Sequence, residues 1–171
     1  MSREGGLLCQ GSVGQKGNFE VVVPRVGGGF WTFWRANDSA GFPWHGPGLA
    51  MGSEGDVFDV VLIEDNIGTS QLASVRREGN RLKFCARGHA NVHGVTRPRW
   101  GASVELPGQP GVRGAPGFVQ SEMHGDFEVV APLTVGGLGH WFRDNGVPAQ
   151  TWHGPTKFGP AASKFAAASL V

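Results

Sequence analysis

Residues 17–46 read GNFEVVVPRVGGGFWTFWRANDSAGFPWHG, and residues 125–154 read GDFEVVAPLTVGGLGHWFRDNGVPAQTWHG. The two stretches align without a gap. Each carries Phe-Glu-Val-Val, then Gly-Gly, then an aromatic run ending in Arg, then Trp-His-Gly-Pro. Self-similarity at a fixed period is the mark of a repeat architecture. A worn copy lies between them. Leu72-Ala73-Ser74-Val75 takes the place of Phe19-Glu20-Val21-Val22, and Glu78-Gly79-Asn80 makes the turn. Leu82 to Arg87 replaces Phe30 to Arg35, and Trp100-Gly101 replaces Trp44-His45-Gly46 after a longer loop. Trp44, Trp100 and Trp152 set a period of about 54 residues, which makes three copies in 171 residues.

A short apolar run ending in Gln or Glu leads into each copy: Leu7–Gln10, Asp59–Glu64, and the run from Pro116 to Gln120. Each copy thus has four expected strands: the lead run, the Phe-Glu-Val-Val strand, the Trp/Arg strand and the strand after Trp-(His)-Gly. Gly-rich hairpins join the second to the third, at Gly27-Gly28-Gly29, Gly79-Asn80 and Gly136-Gly137, where turns favour positive φ. The runs are nearly continuously apolar, as in strands covered on both faces. Four antiparallel strands in about 50 residues make one blade of a β-propeller. The expected fold is all-β, with three four-stranded propeller-like blades. The alternative is a β-trefoil, also three copies of four strands. The expected unit is one domain over 7–159, with copies at about 7–53, 56–108 and 111–159, followed by a tail at 160–171 whose Ala-rich sequence favours helix.

Composition points the same way. Gly (29) and Pro (11) together are about twice as frequent as usual, and charged residues are only 17 %. That is poor material for long amphipathic helices and good material for short strands and turns. With 40 % apolar residues, six Trp and eleven Phe, the chain can bury a core and is not a disordered type. A net charge of +1 without a Lys/Arg block lacks the basic footprint of a nucleic-acid binder. No apolar run reaches the length of a membrane helix, and no signal-peptide core follows Met1. Neither nucleic acid nor membrane is an expected partner. The expected location is cytoplasmic by default, with export without a cleaved leader as an alternative. Two Cys, Cys9 and Cys85, do not make a disulfide framework.

The motif Gly-Asn/Asp-Phe-Glu-Val-Val, Gly-Gly, Trp/Phe-Arg-Ala/Asp-Asn, Trp-His-Gly-Pro resembles bacterial and fungal propeller repeats. These are typified by the sugar-binding lectins of the Photorhabdus and Psathyrella type. The resemblance covers roughly residues 7–159 and implies a lectin-like, non-catalytic propeller that binds glycans. Two departures stand out. Such proteins usually carry six or seven blades, and the acidic Asp-x-Asp-Gly calcium loop of some of them is absent from this sequence.

The repeated polar and aromatic residues have two readings. Arg35, Arg87 and Arg143 recur in all copies. Each either closes its own blade through a carboxylate or loop carbonyls, or forks onto vicinal sugar hydroxyls. Trp44, Trp100 and Trp152 are packing plugs or binding platforms. Trp31, Trp34 and Trp141 occur only in the outer copies. Glu20 and Glu128 share a position, as strand residues paired with the next blade's Arg. His45 and His153 either donate to a sugar or cap the turn before Pro47 and Pro155. The candidate carbohydrate-binding set is Trp31, Trp34, Arg35, Trp44, His45, Trp141, Arg143, Trp152 and His153. The alternative function is a structural or protein-interaction propeller without sugar binding.

No catalytic residue, metal or cofactor is expected. Cys85, His89 and His93 stand four apart, which would suit zinc on a helix, but this stretch reads as a strand running into a loop. No nucleophile elbow, zinc-protease motif or phosphate loop appears. Three blades leave two sheet faces open, so a homodimer closing a six-bladed ring is the expected assembly, with sites near Trp31, Arg35, Trp141 and Arg143.

Overall fold

The computed structural model describes residues 7–11, 13–65, 70–92, 95–108, 110–122 and 124–160. Each copy of the repeat is its own antiparallel sheet with neighbours in chain order. The first holds β1 (Leu7–Gln10), β2 (Phe19–Pro24), β3 (Phe30–Arg35) and β4 (Trp44–Ala50). The second holds β5 (Val57–Glu64), β6 (Ser70–Glu78), β7 (Arg81–Val92) and β8 (Val95–Trp100), with a short β9 (Val104–Glu105) paired to β7. The third holds β10 (Gly117–Gln120), β11 (Phe127–Pro132), β12 (Leu138–Arg143) and β13 (Trp152–Phe158). Among the described residues there is no helix, hence none long and apolar enough to cross a membrane. The expected helical tail lies outside the described residues, save Pro160.

Register confirms the alignment of the copies. Phe19 faces Arg35 and Arg35 faces Trp44; Leu72, Arg87 and Trp100 line up likewise, as do Phe127, Arg143 and Trp152. Among the described residues, an isolated bridge pairs Gly29 with Asp56 across two copies, and each sheet draws its strands from one copy, whereas a trefoil would pool strands from different copies. The β2–β3 hairpin shows why its turn is Gly-rich. Gly28 and Gly29 have φ of 98° and 70°, and a Cβ on Gly28 would run into the carbonyl oxygen of Glu54. The long loop expected in the middle copy is instead an extension of β7 and β8, paired out to Val92 and Val95. Cys85 and His89 both lie on β7, and residues four apart on a strand are about 13 Å from each other, so the one-turn helical spacing that would suit zinc does not apply. His93 lies outside the described residues, and among these no cluster of metal-ligating side chains occurs.

The sheets pack face to face, with the second in the middle. Alternation along its strands sends Leu72, Ser74 and Arg76 to one side and Ala73 and Val75 to the other, and all five are buried. One core joins the first and second sheets through Val22, Phe30, Ala50, Val60, Leu62, Leu72 and Cys85. The other joins the second and third through Val75, Leu82, Phe84, Phe118, Phe127, Val129 and Trp141. Phe84 is its hub, with ring centroids 5.4–6.4 Å from Phe118, Phe127 and Trp152. Among the described residues, the outer sheets are covered on one face only. The expected burial of every repeat core position therefore holds for Leu72, Phe127, Val129 and Trp152. It fails for Phe19, Val21 and Trp100, which are half-buried, and for Trp44, which is 52 % exposed.

Candidate functional site: a groove between the first two sheets

A groove of about 470 Å³ runs between the first and second sheets. The first sheet lines it with Glu20, Thr32 and Trp34 and with the β4 segment from Gly46 to Leu49; the second contributes Arg87 and Trp100. Strand alternation places Glu20 on β2 and Thr32 and Trp34 on β3 on the face that looks at the second sheet. Arg87 crosses the gap. Its guanidinium donates from one nitrogen to Glu20 Oε1 at 2.7 Å and from the other to Oε2 at 3.2 Å. Both side chains are buried, so this is a bidentate, desolvated pair. Trp100 sits 5.8 Å from the Arg87 guanidinium and makes an edge contact with Phe30 at 5.2 Å.

The pair fulfils the expectation that Glu20 meets the next copy's Arg. It also explains an orphan donor. In the outer copies an Asn two residues after the Arg accepts from its Nε: Arg35 to Asn37 Oδ1 at 2.8 Å, and Arg143 to Asn145 Oδ1 at 2.6 Å. Each Asn is pinned in turn. Its Nδ2 donates to the carbonyl of Gly17 or Gly125, and its backbone N–H donates to the side chain of Asn18 or Asp126. The middle copy has His89 at that position, and Arg87 Nε is buried without a partner among the described residues. Asn37 and Asn145 recur at one position of the repeat motif, which the sequence shows without showing that they hold the Arg.

The candidate residues separate into four places. Trp34, 38 % exposed, lines the groove, and His45 stacks on it at 4.0 Å between centroids and 17° between planes. Trp31, Arg35 and Trp44 lie on the opposite, open face of the first sheet, with the Arg25 guanidinium over Trp31 at 5.2 Å and that of Arg35 over Phe19 at 4.5 Å. Trp141, Arg143 and Trp152 are core residues between the second and third sheets. Trp141 is fully buried and donates from Nε1 to the carbonyl of Pro107 at 3.0 Å. The Arg143 guanidinium lies over Phe127 and Phe84 at 4.4 and 4.7 Å. Burial pushes its pKa down, opposed by the charge of Asp65. These three pack sheets together and face no open site, which corrects their assignment to a sugar site. His153 is exposed on the far face of the third sheet, stacked on Phe142 at 4.8 Å.

Further along β6 and β7 from Arg87, the middle copy has a charge cluster that its sequence did not announce. Arg76, with no solvent exposure, donates from Nε to Glu78 at 2.7 Å, lies 3.4 Å from Glu54, and bonds Ser103. Lys83 Nζ reaches Glu54 at 2.9 Å and Glu78 at 2.8 Å. Glu54 comes from the connection between the first two sheets, so the cluster ties them at that edge. Both thiols are kept neutral. Burial, reinforced by Glu20, pushes Cys9 up to about 12, and burial raises Cys85.

Comparison with protein-family models, with curated proteins and with solved structures finds no match.

Proposed function

We propose that the protein is a non-catalytic, lectin-like carbohydrate-binding module built of propeller-type repeats, and that its ligand site is the groove between the first two sheets. The observation that carries this reading is the pairing of aromatic planes with a fixed polar fork. Trp34 and Trp100 flank the Arg87–Glu20 pair in one cleft. A pyranose offers an apolar ring face to an indole and hydroxyls to polar groups at its edge, the mixture that pockets of this type accommodate. Thr32 and the Trp34–His45 stack add a hydroxyl and a polar ring at the same mouth. The resemblance to propeller lectins supports the same ligand class. The two free thiols suit a cytoplasmic location.

A glycan array with multivalently displayed protein tests the proposal, followed by calorimetry on any ligand found. Trp34→Ala is expected to weaken binding at least tenfold while leaving the circular dichroism spectrum unchanged. Absence of binding to every glycan would favour the second reading, a structural or protein-interaction module. That reading draws on the internally satisfied Arg–Asn corners and on the burial of Trp141, Arg143 and Trp152.

A further inference from the structure

The two open sheet faces differ in chemistry. On the first sheet, strand alternation and register put Phe19, Val21, Phe33, Arg35 and Trp44 on the uncovered side. Among the described residues, Arg35 is engaged by Asn37 and by the rings of Phe19, Phe42 and Trp44, and takes part in no ion pair. On the third sheet, the uncovered side carries Glu128, Val130, His140, Phe142 and His153. Among the described residues, the polar contact of Glu128 there is with the His140 ring, at 2.5 Å, and both side chains are about one-third exposed. One face thus presents an arginine among aromatic rings, and the other a carboxylate among aromatic rings.

The chain already contains a joint between two such faces. Where the second sheet meets the first, an Arg at the position of Arg35, namely Arg87, forks onto the Glu at the position of Glu128, namely Glu20. Trp100, at the position of Trp44, closes the contact against Phe30. The third sheet repeats the same orientation by laying its Arg143, Phe127 and Trp152 face onto the second. The second and third sheets therefore each offer their Arg face to the sheet before it, and among the described residues no sheet covers the Arg face of the first.

We propose that the Arg35 face of one copy docks on the Glu128 face of a second copy, with an Arg35–Glu128 ion pair that repeats Arg87–Glu20. Two such joints close a two-fold dimer of six sheets. A second copy carries both halves of the match. Burying one face against the other also covers Trp44 (52 % exposed) and Phe142 (36 % exposed), apolar area of the kind that marks an interaction surface. The joint assembles a second groove. Arg35 and Trp44 of one copy take the parts of Arg87 and Trp100, while Glu128, His140 and Phe142 of the other take those of Glu20, Thr32 and Trp34. Sugar binding in this second groove rests on the proposed function; the joint itself does not.

Light scattering on the purified full chain tests the joint. The wild type is expected at twice the 18.1 kDa chain mass. Arg35→Glu and Glu128→Arg are each expected to run at the single-chain mass with an unchanged circular dichroism spectrum. Mixed in equal amounts, they should regain the double mass, because each joint of the mixed dimer then pairs opposite charges. If Arg35→Glu misfolds, Phe142→Arg takes its place as a disruptor at an exposed site and should also halve the mass. A monomeric wild type, a larger assembly, or single variants that stay dimeric would each overturn the proposal. Calorimetry with a glycan identified on the array reads the groove separately: two sites per chain in the wild type and one in Glu128→Arg. No heat in either protein would sink the sugar reading and leave the mass result standing.

Discussion

Strands β2 and β11 differ at one residue, Phe-Glu-Val-Val-Val-Pro against Phe-Glu-Val-Val-Ala-Pro, yet they bury opposite sides. In β2, Glu20 and Val22 are buried while Phe19, Val21 and Val23 are half-open. In β11, Phe127, Val129 and Ala131 are buried while Glu128 and Val130 are half-open. The cause is position in the stack: the second sheet covers the Glu side of β2 and the Phe side of β11. Side chains suited to burial occupy both sides of both strands. A sequence repeated this closely cannot itself say which side meets a neighbour, and the pair teaches that either side of the repeated strand can be the buried one.

The largest effect that tests this comparison is in the core. Phe127→Ala removes a ring packed against Phe84 and Phe118 and should cost about 3–5 kcal/mol in denaturant unfolding. Phe19→Ala, in the dissociated Glu128→Arg background, should cost no more than about half as much. Equal losses there would mean that the two strands are covered alike within one chain.

The shared Glu position gives the next effect. Glu20→Ala strands a buried Arg87 and is expected to cost about 3 kcal/mol. Glu128→Ala in the single chain loses a half-exposed contact with His140 and should cost under about 1 kcal/mol. A smaller loss at Glu20 than at Glu128 would reverse the assignment of covered and open faces.

The smallest effect concerns pH and the middle copy, which alone has the Glu54–Arg76–Glu78–Lys83 cluster. The hydrogen bond from Lys83 holds the Glu54 carboxyl below its ordinary value. Its contribution to stability is therefore present above the unfolded carboxyl pKa and lost as pH falls through the depressed folded value. The hydrogen bond to Glu78 holds Lys83 above its ordinary value. Its contribution is full below the unfolded lysine pKa and lost as pH rises through the raised folded value. Stability should thus sag at both ends of the range. Lys83→Met should flatten both limbs, each by about 0.5–1 kcal/mol at these partly exposed sites, as read from melting curves between acid and alkaline pH. Unchanged limbs would remove the cluster from the list of ties between the first two sheets.

The repeat made much of the fold legible. Lead strands, hairpins and the Arg–Trp registers fall where the aligned motifs put them, because hairpin geometry and period-2 alternation are local properties. The extension of β7 and β8 was hidden, since Gly88 and Gly94 read as loop signals while cross-strand pairing carried the chain on as a ladder. The site was half legible. Glu20 and its partner Arg follow from the repeat, and Trp34, set apart as an outer-copy aromatic, lines the groove. Trp141 was set apart by the same logic and is fully buried. Its reason is a size exchange between copies. Gly139 stands where the first sheet has Trp31, and a Cβ on Gly139 would strike the Trp141 indole. Phe33 stands where the third sheet has Trp141. The bulk moved by two residues along the strand, and only packing reveals it.

Hydroxyl-radical footprinting read by mass spectrometry compares Trp44 with Trp152 most directly. Trp152 (8 % exposed) should be protected in the wild type and in Glu128→Arg alike. Trp44 should be oxidised several-fold faster in Glu128→Arg than in the wild type, because only the second copy covers it. Equal oxidation of Trp44 in the two proteins, at a rate well above that of Trp152, would contradict the claim that both faces of every sheet are built to be covered.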